Sequence, residues 1–139
     1  MVDLLRVQTM LHRLGLEIEA LRRLSGRSAD ELLGDEDLLA AVKYRFVVAI
    51  EVCVDLGRHI VASEGLRAPL DYADVFSALA EAGLLPAATA ATLRDTARFR
   101  NLLVHGYATI DDSRVVEILK TRVDDLAGFR SALARAAAG

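Results

Sequence analysis

Two arginines, an amide, a histidine and a tyrosine fall within ten residues of the stretch RFRNLLVHGYATID, Arg98 to Asp111. Among them Arg100, Asn101, His105 and Tyr107 carry the parts of one reaction on phosphate. An imidazole that titrates near neutrality can take a proton from an attacking hydroxyl or give one to a leaving oxygen. A guanidinium can grip phosphate oxygens through two parallel N–H bonds and stabilise the charge that develops on them. RNA suits such a pair because it carries its own nucleophile, the 2′-hydroxyl beside each phosphodiester. Neither role calls for a metal. General acid–base help is worth roughly 10²–10⁴-fold, so a site of this kind depends on His105. The simpler alternative is that Arg100 and His105 lie near a helix C-terminus and satisfy carbonyls there, where cations are favoured.

Spacing constrains how these groups can meet. In a helix running through residue 105, Asn101 and His105 are four apart and share a face. Arg100 then lies about 140° away around the axis. One straight helix does not aim both groups at one atom, although a guanidinium is long enough to bend toward it. Two copies facing each other across a symmetry axis would bring both pairs into one cleft, so the spacing hints at a composite site in a dimer.

The elements that must position this segment are helical, since no stretch alternates with period two. Leu4, Val7, Leu11, Leu14, Ile18 and Leu21 place a first helix over about residues 3–24. Ser28 and Glu31 form a capping-box signature for one short turn that Gly34 stops. Asp35 offers an N-cap to the longest helix, about 36–64, ended by Gly65. Asp71 can cap a helix from about 72 to 82 that stops at Gly83, and Pro86 suits the first turn of the next, about 86–104. HGYATID interrupts that helix, and Asp111 or Asp112 starts the last one, to about residue 136. The expected fold is therefore all-α, an antiparallel bundle of about five helices in a single domain, 1–139, with the long helix at its centre.

On that long helix Leu38, Leu39, Val42, Phe46, Ala49, Ile50, Cys53, Leu56, Gly57 and Ile60 form one stripe, the predicted core face. Tyr44, Val48, Glu51, Asp55 and Arg58 lie opposite, with Val47 nearby. That mixed back face reads equally as solvent surface or as a subunit contact.

Composition narrows the functional classes. The chain has 139 residues, 53% of them hydrophobic, and a net charge of −3, with a pI of about 5.6. A protein that coats long nucleic acid is usually basic, which counts against a broad clamp. A local site survives the objection, because Arg94, Arg98 and Arg100 stand against only Asp95 in the segment from 94 to 107. No apolar run reaches the roughly 18–20 residues needed to span a bilayer, and the N-terminal MVDLLRVQTM lacks the h-region of a signal peptide. The single Cys53 fits a reducing compartment. A cytoplasmic protein without membrane contact is expected.

Other chemistries find no support. His12, His59 and His105 belong to no metal motif, one cysteine cannot build a thiolate zinc site, and no cofactor is implied. No glycine-rich phosphate loop or nucleophile elbow occurs. GDEDLL opens a helix, where carboxylates suit the positive dipole end. His12 and His59 read as surface or boundary residues, and Cys53 as inert packing.

The segment from Arg100 to Tyr107 fits the pattern Arg, four residues, His, any residue, Tyr, and it resembles the HEPN-domain toxins of the HepT type. The likeness extends over nearly the whole chain, through the short turn before the long helix, LDYADVFSALAEAGLL before the motif and YATID after it. It implies a metal-independent endoribonuclease toxin acting as a homodimer, with its cleft at the subunit interface. Arg100 and His105 take the place of the family's catalytic pair, with Asn101 as the polar neighbour. Such toxins are paired with a small nucleotidyltransferase antitoxin of the MNT type, which transfers AMP to the motif tyrosine, here Tyr107. A negative adenylate two residues from His105 would occupy the place of the RNA phosphate and repel it. Two rival readings stand beside this one. The first is a non-catalytic HEPN module that binds nucleotide or assists a partner nucleotidyltransferase. The second is a structural helical adaptor.

Overall fold

A computed structural model describes residues 2–138. Six α-helices follow in order: α1 (Leu4–Ser25), α2 (Ala29–Leu33), α3 (Glu36–Ser63), α4 (Asp74–Glu81), α5 (Ala87–His105) and α6 (Asp112–Ala138). A 3-10 turn, Tyr107–Thr109, joins the last two. No strand occurs among the described residues. The short capped turn read from the sequence is α2, which raises the count from about five to six.

Helix ends fall where the capping chemistry places them. Asp3 accepts from the Arg6 amide, Ser28 and Glu31 close a capping box, and Asp35 accepts from the Asp37 and Leu38 amides. Gly65 and Gly83 adopt positive φ, 64° and 76°, where a Cβ would be strained. Each lets the next amide reach back five residues: Leu66 donates to Val61 at 2.9 Å and Leu84 to Leu79 at 3.0 Å. These close α3 and α4 as Schellman motifs. Asp111 caps α6 by accepting from the Ser113 amide at 2.9 Å.

One helix starts later than the sequence places it. The expected helix from about 72 begins at Asp74: Asp71 does accept from the Asp74 amide at 2.8 Å, the capping bond read from the sequence, but residues 72–73 form a turn ahead of the helix. Arg67 then ties both Asp74 oxygens and Glu81 together. Tyr72 is left in the linker, half-buried, with its ring turned toward α3 and α5.

α3 packs against each of the other five α-helices, as its apolar stripe requires. Leu39, Val42, Phe46, Ala49, Ile50, Cys53, Leu56 and Ile60 are buried, and so are Val54 and Val61 at the edge of that stripe. Leu38 is only half-buried. α1 runs antiparallel to α3, since Asp3 donates to His59 at one end and Glu17 pairs with Arg45 toward the other. α1 is also antiparallel to α6, where Lys120 caps α1 by donating to the Ser25 carbonyl at 2.6 Å. α3 and α6 run the same way, with Lys43 meeting Asp112 near their starts and Phe129 close to Gly57 farther on. Phe76 of α4 meets Phe129 of α6 edge-to-face at 5.5 Å, an arrangement favoured by the ring quadrupoles. Glu17 is fully buried yet receives Arg13 and Arg45, so its charge is paired as burial demands. No described helix is long and apolar enough to cross a membrane.

Candidate active site

The buried face of α5 is set by Ala90, Leu93 and Ala97, spaced three and four apart and fully buried. The same spacing continues at Arg100 and then Val104. Arg100 therefore occupies a core-facing position on its helix, and a guanidinium there needs a partner. It finds Glu51 on α3, where Arg100 Nη2 meets Glu51 Oε1 as an ion pair. Arg100 Nη1 also donates to Asn101 Oδ1 at 3.1 Å. The Arg100 guanidinium carbon lies 4.8 Å from the centroid of the Tyr72 ring. With its side chain only 16% exposed, Arg100 is fixed from three directions, while its buried Nε has no hydrogen-bond partner.

One turn farther, Val104 is 37% exposed, so α5 outruns the helices that cover it. His105, its last residue, is exposed. Beyond it Tyr107 is 77% exposed in the 3-10 turn. The three functional side chains are thus graded: Arg100 anchored, His105 at the rim, Tyr107 in solvent. Asn101, half-buried, connects the first two, since it bonds Arg100 and lies one turn before His105 on the same face.

The alternative of carbonyl capping does not describe Arg100, whose guanidinium goes to Glu51 and Asn101. The helix end is closed by the backbone itself: the Gly106 amide donates to the Leu102 carbonyl at 2.8 Å, and the Thr109 amide to the Gly106 carbonyl at 2.9 Å. Gly106 follows directly. Its φ is −108°, which any residue can adopt, so no left-handed freedom is used. Space is what matters, because a Cβ would lie 3.2 Å from the Leu102 carbonyl oxygen.

The basic patch expected from Arg94, Arg98 and Arg100 is thinner in three dimensions. Arg98 pairs with Asp95 and Arg100 with Glu51, whereas Arg94 donates to the Ser77 hydroxyl at 3.0 Å and keeps its charge unneutralised by that bond. A surface cavity of about 510 Å³ beside the turn is lined by Phe99, Leu102, Ile110 and neighbours. It includes neither Arg100 nor His105 among its lining residues.

Sequence reasoning missed Glu51 and Tyr72 as members of this site. Glu51 was grouped with the outward stripe of α3, and it is indeed partly exposed, but it faces α5. The available signal was the spacing Ala90, Leu93, Ala97, Arg100, which places a charge on an apolar face and so calls for an acid on a neighbouring helix. The other titratable groups take structural roles. His59 Nε2 accepts from the Asp3 amide at 3.1 Å, and His12 is exposed. Burial pushes the Cys53 thiol well above its ordinary range, which leaves it protonated and unreactive. Among the described residues no group of three or more His, Cys, Asp or Glu side chains could hold a metal ion.

The chain is similar to known proteins in sequence and in fold. An mRNA nuclease HepT from Shewanella oneidensis is 28% identical over 79 residues, which covers 57% of this chain and 59% of that protein. The chain thus spans less than two thirds of this relative's length. A putative RNase from Archaeoglobus fulgidus is 29% identical over 110 residues, 79% of this chain and 82% of that one. The fold is also that of a tri-AMPylated Shewanella oneidensis HEPN toxin in complex with an MNT antitoxin. The TM-score is 0.86, with coverage of 97% of this chain and 99% of the toxin, at 21% identity. The model of the family described as Ribonuclease HepT-like matches residues 14–133. That match takes in all but the ends of the chain and includes Arg100, His105 and Tyr107: the chain belongs to the HepT-like ribonuclease family.

Proposed function

We propose that this protein is a metal-independent endoribonuclease toxin whose catalytic pair is Arg100 and His105. The observation that carries the reading is the graded end of α5, with a guanidinium anchored by Glu51 and an imidazole exposed one helical turn beyond it. In this reaction an imidazole takes the proton of the RNA 2′-hydroxyl, whose oxygen attacks the adjacent phosphorus. The P–O5′ bond breaks as the leaving oxygen is protonated. The products are a 2′,3′-cyclic phosphate and a 5′-hydroxyl. Arg100 turns its N–H edge to the phosphate oxygens and neutralises the charge that builds there. Asn101 steadies that edge from the side.

The site is completed by a second copy. Around the axis of α5 Arg100 and His105 diverge by about 140°, and Val104 lies exposed between them in angle. Tyr44 is 60% exposed on the outward side of α3. A homodimer that covers Val104 and Tyr44 brings His105 of one copy to Arg100 of the other at each phosphate, with the RNA in the cleft between copies. The working compartment is the cytoplasm, where RNA and ATP are at hand.

Control falls to Tyr107. An MNT-type nucleotidyltransferase antitoxin transfers one or more AMP groups to its phenol: the phenolic oxygen attacks the α-phosphorus of ATP and pyrophosphate leaves. Exposure supports this choice among the three tyrosines, since Tyr107 is 77% exposed and Tyr44 60%, whereas the Tyr72 hydroxyl is buried. The adenylate adds negative charge beside His105 and excludes the RNA phosphate.

The test is cleavage of a mixed RNA in EDTA, with the new 3′ ends analysed. Cyclic phosphate ends, made by wild type and not by His105→Ala, support the proposal. A requirement for a divalent ion, or 3′-hydroxyl ends, defeats it. RNA left intact by wild type, combined with nucleotide binding, would favour the non-catalytic HEPN module.

A further inference from the structure

Two guanidinium groups pack on the ring of Tyr72. Arg100 lies 4.8 Å from the ring centroid and Arg58, from the last turns of α3, lies 5.6 Å away. The Tyr72 hydroxyl is buried and has no hydrogen-bond partner, so the phenol is not held by its oxygen. Burial, and then the Asp55 carboxylate, push this phenol up to about 12, which keeps the ring neutral at physiological pH. What remains to hold the ring is packing and the attraction of a cation for an aromatic face.

The three contacts of Arg100 differ in whether substrate competes with them. Glu51 and Asn101 both engage terminal nitrogens of the guanidinium, the same N–H edge that a phosphate grips bidentately. Tyr72 packs on the face. A phosphodiester arriving in the cleft must share or displace Glu51, and at that moment the edge contacts no longer fix the plane of the group. The face contact persists.

We propose that Tyr72 is a positioning residue for RNA cleavage, holding the Arg100 guanidinium plane through its ring while the scissile phosphate takes over the N–H edge, with Arg58 steadying the same ring. This rests on the functional reading above, and it adds a residue 28 positions before the motif arginine. The role requires an electron-rich ring and no hydroxyl.

The test uses the full-length protein and three variants at this position: Tyr72→Phe, Tyr72→Leu, and a substitution by 3,4,5-trifluorophenylalanine, which keeps the shape of phenylalanine and drains its ring. kcat and KM are measured with cleavable RNA. Affinity is measured with RNA carrying a 2′-deoxy residue at the cleavage position, which binds without being cut. Tyr72→Phe should rescue most of the activity that Tyr72→Leu loses. The leucine and trifluoro variants should lose roughly 3- to 30-fold in kcat with thermal midpoints close to that of the phenylalanine variant. In an Arg100→Ala background, Tyr72→Leu should weaken binding of the uncleavable RNA no further. Equal kcat for the phenylalanine and trifluoro variants would overturn the inference, even if Tyr72→Leu fails to fold. So would an undiminished binding loss on Tyr72→Leu when Arg100 is already alanine. Wild-type protein that binds RNA but does not cut it would defeat the functional reading alone, leaving the binding cycle to decide the role of Tyr72.

Discussion

Arg100 of α5 and Glu51 of α3 are paired across the two helices, at the one position where the apolar stripe of α5 gives way to a charge. The pair sits where the bundle stops covering α5, so the same contact that satisfies a part-buried guanidinium also holds it close to the exposed end of the helix. Glu51→Ala should release that guanidinium without emptying the core, because the Glu51 side chain is 36% exposed. A positioning error of this kind costs roughly 10- to 100-fold in rate. Steady-state cleavage should show the loss in kcat, with Glu51→Gln retaining more activity than Glu51→Ala. Wild-type kcat in a folded Glu51→Ala protein would show that the pairing has no part in catalysis.

Tyr107→Phe keeps the ring in the exposed turn and removes the acceptor oxygen. Incubated with the nucleotidyltransferase antitoxin and ATP, wild type should gain one or more AMP units by whole-protein mass and stop cutting RNA. The phenylalanine variant should gain none and keep cutting. Adenylate mapped to Tyr44, or silencing of the active variant under the same conditions, would point to a different means of control.

α3 packs tightly against α4 at Gly57. A Cβ there would lie 2.6 Å from Val75 Cγ1 and 3.2 Å from Leu79 Cδ1, and both neighbours are fully buried. Alanine would gain about 1 kcal/mol in helix propensity and lose about 1–3 kcal/mol to overpacking. Gly57→Ala is expected to be destabilised on balance, by up to about 2 kcal/mol in urea unfolding, and cleavage should fall with it as α4 and the Tyr72 linker shift.

Acid should weaken the anchor of that linker. The Arg67 guanidinium, followed by the Leu70 amide, holds the Asp74 carboxyl at about 2, below its usual 3.8. A carboxyl lowered on folding contributes stability that is complete above its unfolded value and is lost as pH falls through the folded one. The contribution is therefore present at neutral pH and fades from roughly pH 4 to pH 2. Arg67→Ala should flatten this part of the stability profile and lower stability only slightly at pH 7, the pair being solvent-screened. An unchanged acid limb in that variant would assign the acid sensitivity elsewhere.

Local signals account for how much of this was legible in the sequence. Ser28 with Glu31, Asp35, Gly65 and Gly83 marked helix ends because caps act within a few residues, and each does so here. The spacing of Arg100, Asn101, His105 and Tyr107 was visible for the same reason. The partners of Arg100 were not. Glu51 lies 49 residues earlier and Tyr72 28 residues earlier, and neither is related to Arg100 by helical periodicity. Only the packing of α3, the linker and α5 brings them together. The cap at Asp71 was legible for the same local reason as the other caps, and α4 starts two residues later than read only because residues 72–73 form a turn within that capped segment. The basic patch looked stronger in sequence because Glu51 was not yet beside it.

The central claim is that Arg100 and His105 from opposite copies act on one phosphate, and subunit mixing tests it directly. Arg100→Ala and His105→Ala proteins should each be inactive alone. Mixed dimers, isolated by two affinity tags, contain one intact arginine and one intact histidine on opposite copies. They should recover up to about half of wild-type cleavage, since one of two symmetry-related sites is rebuilt. Mixed dimers as inactive as either parent would contradict the composite site.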